Sequence, residues 1–388
     1  MKICFLAKIF YPFVGGSEIA LFEVARRLAR RGHDIHVITS PLPNTAPFEE
    51  VEGIKIHRIK MPVSTLRKAT GRPMFLFLSA VALNNLLKNG NFDLVHDNIS
   101  PNPSFGPSIA HKFGIPCTAT VYDIPKWRGI GYSFWVSLIN TYQINWFLKS
   151  MSYDGFIAVS GYTKRELIKL VKRKNIDVIY NGANIEEIDK VKVSKKFKRP
   201  TVIYVGRFSL NKRVDWLLLS INELVNKIPN IQLLIVGDGP KNFKEPVIEL
   251  WKELKLQKHV KFLGEKVGRK KIELIKKSHL LVLPTTTEGS PLVIAEAMAC
   301  KVPVVASNVG GISEMITNSG YLVNGGDVKG FSNRIEKILT NDSLRRRLGE
   351  VGRKIADEKF DWNKIADKYE DFFNKILQKK LPVTYTSI

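Results

Sequence analysis

Apolar residues come in short unbroken runs along this chain, and polar loops and helical patterns alternate between them. Residues 2–7 form the first run; after a loop over 10–16, Leu21, Val24, Ala25 and Leu28 recur at helical spacing until Gly32, and 35–39 are apolar again. Runs bounded this way fit strands buried on both faces, and the spacing between them fits an amphipathic helix. The order strand, glycine loop, helix, strand predicts a right-handed parallel unit whose loop lies at the carboxyl edge of the sheet. Further strands are expected at 94–96, 117–121, 155–159 and 177–180.

A second series begins at Thr201-Val-Ile-Tyr-Val-Gly-Arg207, with strands expected at 232–236, 260–263, 280–284 and 302–306. Between the series lies Lys190-Val-Lys-Val-Ser-Lys-Lys-Phe-Lys-Arg-Pro200, which is basic, lacks a core pattern and ends in proline. The expectation is an α/β protein with one Rossmann-like domain over 1–189, a linker over 190–200 and a second such domain over 201–360. A closing helix in 361–388 can pack back on the first domain. A length of 388 residues fits two cores better than one. Two doubly wound domains facing a central cleft make that cleft the default ligand site.

Composition adds limits. At 44% hydrophobic and 25% charged residues the chain is an ordinary folded protein. Its longest apolar stretch, 74–87, is broken by Ser79, Asn84 and Asn85, and falls short of the roughly 20 residues that span a bilayer. The first residues read as a strand and not as a signal peptide, because Lys8 interrupts the run. Cys4, Cys117 and Cys300 are an odd number without metal spacing, which fits buried packing in a reducing cytosol.

The net charge of +24 raises nucleic acid, anionic lipid and polyphosphate as partners. There is no Cys/His finger or RNP-like strand, so no specific nucleic-acid partner is expected. Between Glu52 and Asp93 no acid occurs, while Lys55, Arg58, Lys60, Arg67, Lys68, Arg72 and Lys88 lie beside Met74, Phe75 and Phe77. That mixture over 55–88 suits an anionic membrane surface; the competing reading is a solvated face beside a core helix.

The strongest chemical signal is Glu288-Gly-Ser-Pro-Leu-Val-Ile-Ala-Glu296, which follows the apolar run 280–283 and leads into Glu296-Ala-Met-Ala299. Ser290 is expected to cap a helix and Pro291 to take its first position. The free N–H groups of that helix start suit a phosphate, and two acceptor-only carboxylates suit hydroxyls. A nucleotide sugar combines both. Arg207, at a strand end, offers a planar fork for phosphate, and Lys212 a mobile point charge; together they can neutralise a leaving diphosphate without a metal. Val236-Gly-Asp-Gly-Pro240 lacks the dinucleotide fingerprint and reads as a structural turn.

In this order the pieces resemble glycosyltransferase family 4, the retaining, metal-independent transferases of the GT-B fold. The matching residues are Gly15-Gly16, Ala158-Val-Ser160, Tyr180-Asn-Gly182, Val205-Gly-Arg207 with Lys212, Val236-Gly-Asp-Gly-Pro240, and Glu288 with Glu296. The resemblance implies that Glu296 holds ribose hydroxyls, and that Glu288 and the backbone of Gly289, Ser290, Pro291 and Leu292 hold the donor sugar. It gives Arg207 and Lys212 the diphosphate, and lets the backbone at Gly15 and Gly16 approach the phosphates or the acceptor. It further implies a nucleotide diphosphate sugar as donor and no metal or other cofactor, with closure about 190–200; the basic apolar 55–88 stretch favours a glycan or lipid-linked acceptor and a cytoplasmic enzyme peripheral on the inner face of the membrane.

One stretch departs from the pattern. Many relatives carry histidine in a Thr-Val-His-Asp type segment where this chain has Thr120-Val-Tyr-Asp123, and a phenol with a reference pKa of ~10 is a poor proton acceptor at neutral pH. His96 also ends an expected strand, although a hydrogen-bonded structural histidine explains it equally well. His96, Tyr122 and Asp123 are the acceptor-side candidates. The rival readings are a nucleotide-sugar epimerase or phosphorylase of the same fold, recognised by turnover without an acceptor or by dependence on phosphate, and a basic nucleic-acid-binding protein, recognised by steep salt dependence.

Overall fold

The computed structural model describes residues 1–65, 71–99, 104–124, 142, 144–171 and 175–379, and these divide into two units, one built from 1–180 and the last helix, the other from 181–361. The first unit holds β1 (Lys2–Leu6), β2 (Asp34–Thr39), β3 (Phe48–Val51), β4 (Ile54–Arg58), β5 (Leu94–Ile99), β6 (Cys117–Val121), β7 (Gly155–Ala158) and β8 (Ile176–Val178). They form one sheet in the order β3-β4-β2-β1-β5-β6-β7-β8, parallel throughout except where β3 runs against β4. The apolar runs are strands because both sheet faces are covered. On one face α2 (Gly71–Lys88), α3 (Gly106–Lys112) and a helical stretch over 144–150 close over Leu6, Val95, Ala119 and Val121; α1 (Gly16–Arg30) and α4 (Gly161–Val171) complete the unit.

The β3–β4 hairpin takes Lys55 and Arg58 out of the 55–88 stretch read as lipid-facing and leaves Lys60 exposed beyond it. Its turn is Glu52-Gly53, both at positive φ. Ile54 and Ile56 face the core, so the strand alternates between apolar and charged positions. Lys55 Nζ donates to Asp34 Oδ1 at 2.8 Å, and the buried Arg58 binds Glu49 and the Ala46 carbonyl. These two bases therefore hold an edge strand.

The second unit contains β9 (Thr201–Val205), β10 (Gln232–Val236), β11 (Val260–Phe262), β12 (Leu280–Leu283), β13 (Val304–Ser307) and β14 (Gly320–Val323), ordered β11-β10-β9-β12-β13-β14 and all parallel. Its helices are α5 (Ile185–Lys190), α6 (Val214–Leu224), α7 (Lys241–Glu253), α8 (Gly268–Lys277), α9 (Leu292–Ala299), α10 (Ile312–Ile316), α11 (Val328–Leu339) and α12 (Asp342–Lys359). Strand order reverses at β9, which pairs with β10 on one side and β12 on the other. Connections leave a switch point of this kind in opposite directions, so a crevice opens at the carboxyl ends of its strands.

Residues 190–200 are not a linker between the units; the boundary falls between Tyr180 and Asn181. Lys276 Nζ donates to the carbonyls of Ile188 (2.7 Å) and Val191 (2.9 Å), and Lys196 Nζ to those of Lys276 (3.1 Å) and Ser278 (2.7 Å). Ammonium groups here satisfy orphan carbonyls at the ends of α5 and α8. Within the segment Lys196 and Arg199 bind carbonyls of the second unit, while Lys192, Lys195 and Lys198 are exposed.

The last helix, α13 (Trp362–Gln378), belongs to the first unit. Its buried stripe, Trp362, Ile365, Ala366, Tyr369, Phe372, Phe373 and Ile376, recurs at the helical period. Phe373 packs on Phe5 of β1 and His96 of β5, the Tyr369 hydroxyl meets Thr120 Oγ1 at 3.0 Å, and Arg27 of α1 binds Asn363 at 2.8 Å.

Candidate donor site

The crevice of the second sheet gathers the residues that sequence reasoning singled out. β9 ends at Val205, and Gly206 and Arg207 follow it, with the Arg207 side chain exposed. β12 ends at Leu283, and the adjoining loop carries Glu288. Two stitches join these loops: Thr286 N and Thr285 Oγ1 both donate to the Asn211 carbonyl at 2.9 Å. Lys212, the next residue, thereby reaches Glu288 and forms an ion pair with its Oε1; both side chains are largely buried. Tyr204 supports the same corner, its hydroxyl donating to the Arg207 carbonyl at 3.2 Å. Burial, followed by the Glu288 charge, pushes the Tyr204 phenol above its ordinary range.

The Val236-Gly-Asp-Gly-Pro240 turn acts as the structural support expected of it. A Cβ on Gly237 would lie 2.0 Å from the Gly206 carbonyl oxygen, at a φ of +138°. A Cβ on Gly239 would lie 2.4 Å from the Phe208 carbonyl oxygen. The turn therefore presses against the segment that presents Arg207. Gly237→Ala is expected to destabilise the second unit by about 2–4 kcal/mol through strain and a backbone clash. Gly264→Ala, at a φ of +67° with open space around the new methyl, is expected to cost only about 1–2 kcal/mol. Urea titrations giving equal losses would show that the close approach is not what Gly237 serves.

Around α9 the sequence reading needs two corrections. Pro291 is the residue before the helix, with extended backbone, and Leu292 is its first residue. Ser290 does not cap it: its hydroxyl accepts from Asn181 N at 3.1 Å, and its carbonyl accepts from Asn181 Nδ2 at 2.8 Å. Asn181 is thus anchored on the loop before α9, which a local capping pattern cannot reveal. Among the described residues the N–H groups of Leu292 and Val293 have no protein acceptor, so the helix start keeps its capacity for an anion.

Glu296 has a partner absent from the sequence reading. Lys271 of α8 places Nζ 2.5 Å from Glu296 Oε1, and both side chains are largely buried. Gly310-Gly311 was also missed. Gly311 N donates to the Glu288 carbonyl at 2.9 Å, and a Cβ on Gly310 would stand 1.9 Å from that oxygen. The readable signal was a glycine pair directly after a buried run, and it locks the Glu288 backbone in place.

The first unit's candidates are not brought together in the same way. Gly15 precedes α1 and Gly16 opens it; a Cβ on Gly15 would lie 2.2 Å from Glu18 Oε2, whereas one on Gly16 would meet nothing. Tyr122 and Asp123 follow β6 at its carboxyl end, both half-buried. Burial, with the Tyr369 and Glu18 charges, pushes the Tyr122 phenol well above its usual range, so it donates and does not accept a proton at neutral pH. His96 is a correction. It is fully buried within β5, with Nδ1 2.7 Å from Thr118 Oγ1 and Nε2 2.8 Å from Thr120 Oγ1. Both ring nitrogens are engaged, and burial lowers its pKa to about 3, so it is a neutral core residue.

Comparison with known proteins bears on the family and the fold. Residues 14–187 match the family model Glycosyltransferase Family 4, and residues 185–355 match Glycosyl transferases group 1. The N-acetyl-alpha-D-glucosaminyl L-malate synthase of Bacillus anthracis is 28% identical over 390 residues, covering 95% of this chain and 96% of that protein. Among solved structures, sucrose-phosphate synthase from Thermosynechococcus elongatus superposes with a TM-score of 0.82 at 22% identity, over 97% of this chain and 99% of its own. Anabaena HepE in complex with UDP-glucose gives 0.75 at 20% identity, over 97% and 100%.

Proposed function

The chain belongs to the family 4, group 1 glycosyltransferases and has their GT-B fold, and from that premise we propose that it moves a hexosyl group from a UDP- or GDP-sugar to an acceptor hydroxyl with retention of the anomeric configuration. The observation that carries this reading is a pair of carboxylates, one in the β12–α9 loop and one within α9, each facing an ammonium: Glu288 with Lys212, Glu296 with Lys271. A nucleotide sugar presents hydroxyls to such carboxylates and phosphate oxygens to such cations.

In the proposed reaction the bond from the anomeric carbon to the diphosphate oxygen breaks, and the acceptor oxygen bonds to the same face of that carbon. The departing phosphate takes the acceptor's proton. Arg207, Lys212 and the start of α9 stabilise the charge that develops on the diphosphate, which requires no metal ion. Glu288 orients the sugar and Glu296 the ribose. The basic, apolar outer surface of the first unit favours a lipid-linked or cell-surface glycan precursor as acceptor, handled by a cytoplasmic enzyme resting on the inner face of the membrane.

A thermal-shift screen of UDP, GDP, ADP and their sugars tests the donor half. The cognate nucleotide at 100 times its dissociation constant adds about 2.7 kcal/mol of stability, and Glu296→Ala is expected to lose that shift. Silence from every nucleotide sugar would overturn the reading. A product of inverted configuration, or a rate abolished by a chelator, would overturn the mechanism alone.

A further inference from the structure

Residues 53–153 contain eleven lysines and arginines but only three acids, Asp93, Asp97 and Asp123. Asp97 is buried, and Asp93 binds the Lys2 amide at 2.7 Å. Asp93 is exposed and Asp123 half-buried, so the bases outnumber the acids that this part of the first unit turns outward. Lys55 and Arg58 are held within the hairpin, Arg67 and Lys68 lie outside the described residues, and so does the Arg72 side chain. The surface in question is elsewhere, on the helical layer over one face of the sheet.

α2 buries Phe75, Ser79, Leu83 and Leu87, one residue per turn, and turns Phe77 (67% exposed) and Val81 (45% exposed) to the opposite side, with Lys88 exposed at its end. The stretch 144–150 repeats the arrangement: Ile144 and Leu148 are buried while Trp146 is 51% exposed beside an exposed Lys149. Both helices bury their inner sides in one apolar cluster, and α3 joins the layer through Phe105, 5.4 Å from Phe147. Phe and Trp side chains beside lysines, with no acid in either 71–88 or 144–150, complement an anionic headgroup layer. Among the described residues no helix is long and apolar enough to cross a membrane, so the layer is suited to lying on a bilayer.

We propose that the outer face of α2 and the 144–150 helix is the surface by which this glycosyltransferase rests on an anionic lipid bilayer. The aromatic side chains enter the headgroup region and the lysines meet lipid phosphates. This deepens the reading of a membrane-borne acceptor and rests on it.

Vesicle sedimentation tests it, with phosphatidylcholine alone against two parts phosphatidylcholine to one of phosphatidylglycerol. The wild-type protein is expected to sediment only with the mixed vesicles, and less at high salt. Each base near such a surface is worth about fivefold in partition, so Lys88→Glu with Lys149→Glu is expected to lower binding by well over tenfold. Phe77→Ser with Val81→Ser is expected to lower it at least tenfold. Unchanged melting and an unchanged nucleotide-induced shift in these variants show that fold and donor site are intact. Absent wild-type binding, equal binding to neutral vesicles, or partition insensitive to both double variants overturns the proposal. So does a dimer that Phe77→Ser with Val81→Ser dissociates, since a second copy would then cover the face. A donor shift without vesicle binding rejects the surface alone; loss of the donor shift in the wild-type protein rejects the functional reading.

Discussion

Lys212→Ala is expected to lower kcat with the cognate donor by about two to three orders of magnitude, the effect of removing one preorganised group that stabilises developing charge. Lys212 lies in the corner where the β9 and β12 loops are tied together, and its ammonium faces Glu288 in a largely buried setting. In the proposed reaction negative charge grows on the diphosphate oxygens as the donor bond breaks, and a fixed cation there acts mainly in the transition state. The loss should therefore fall on kcat more than on KM. Removing the lysine also leaves Glu288 without its ion partner, which lowers stability, so melting must be measured alongside and rates taken well below the transition. Glu288→Gln separates the two effects, because it removes the carboxylate charge and keeps the cation. A Lys212→Ala enzyme that is less stable yet turns over at the wild-type rate would reduce the lysine to a structural role.

The second large effect concerns acid. Burial lowers His96 to about 3; burial first, then His36 and Lys55, lowers His57 to about 4, and burial first, then Arg345 and Lys196, lowers His279 to about 4. A histidine depressed in the folded state contributes stability that is complete above its unfolded value of roughly 6.5 and is lost as pH falls through the folded value. Asp97 acts the other way: burial raises it to about 6 despite hydrogen bonds from Tyr153 and Ser104. Its folded form keeps a proton that the unfolded chain has released, so its contribution grows as pH falls from 6 toward 4. Three histidines against one aspartate leave roughly two protons taken up on unfolding in that interval, each worth about 1.4 kcal/mol per pH unit, and His36, which burial also lowers, adds to the uptake. Stability is expected to fall steeply between pH 6.5 and 4, measured by urea unfolding at fixed ionic strength. His96→Gln should be less stable at pH 7.5 but lose less per pH unit, by about one proton. An unaltered slope would exclude His96 as a source of the acid sensitivity.

Much of the fold could be read because parallel strands buried on two faces leave unbroken apolar runs, and the loops after β9 and β12 carried the groups whose chemistry suggested a donor site. What could not be read depends on partners far away in sequence. Ser290 has the composition of a cap, but Asn181 takes its hydroxyl across 109 residues. Glu296 gave no hint of Lys271, because a lysine on an amphipathic helix reads as solvated. His96 was ambiguous for the same reason: only the threonines of the neighbouring strand reveal that both its nitrogens are satisfied. The basic 190–200 segment looked like a linker because charge suggests water, whereas Lys196 spends its charge on the carbonyls at the end of α8.

The return of α13 to the first sheet sets an order of events during synthesis. Among the described residues the second unit is one continuous span, 181–361, and can fold as soon as it has emerged. The first unit is begun earlier but cannot cover Phe5 and His96 until Tyr369 and Phe373 have been made. At about 5–20 residues per second, the ribosome takes roughly 10 to 40 seconds to cover that distance. Throughout that interval one side of the first-made sheet lacks its cover, so the part of the enzyme translated first is the last to be finished, and a chain that stops before residue 362 carries an open apolar sheet for chaperones or proteases to find.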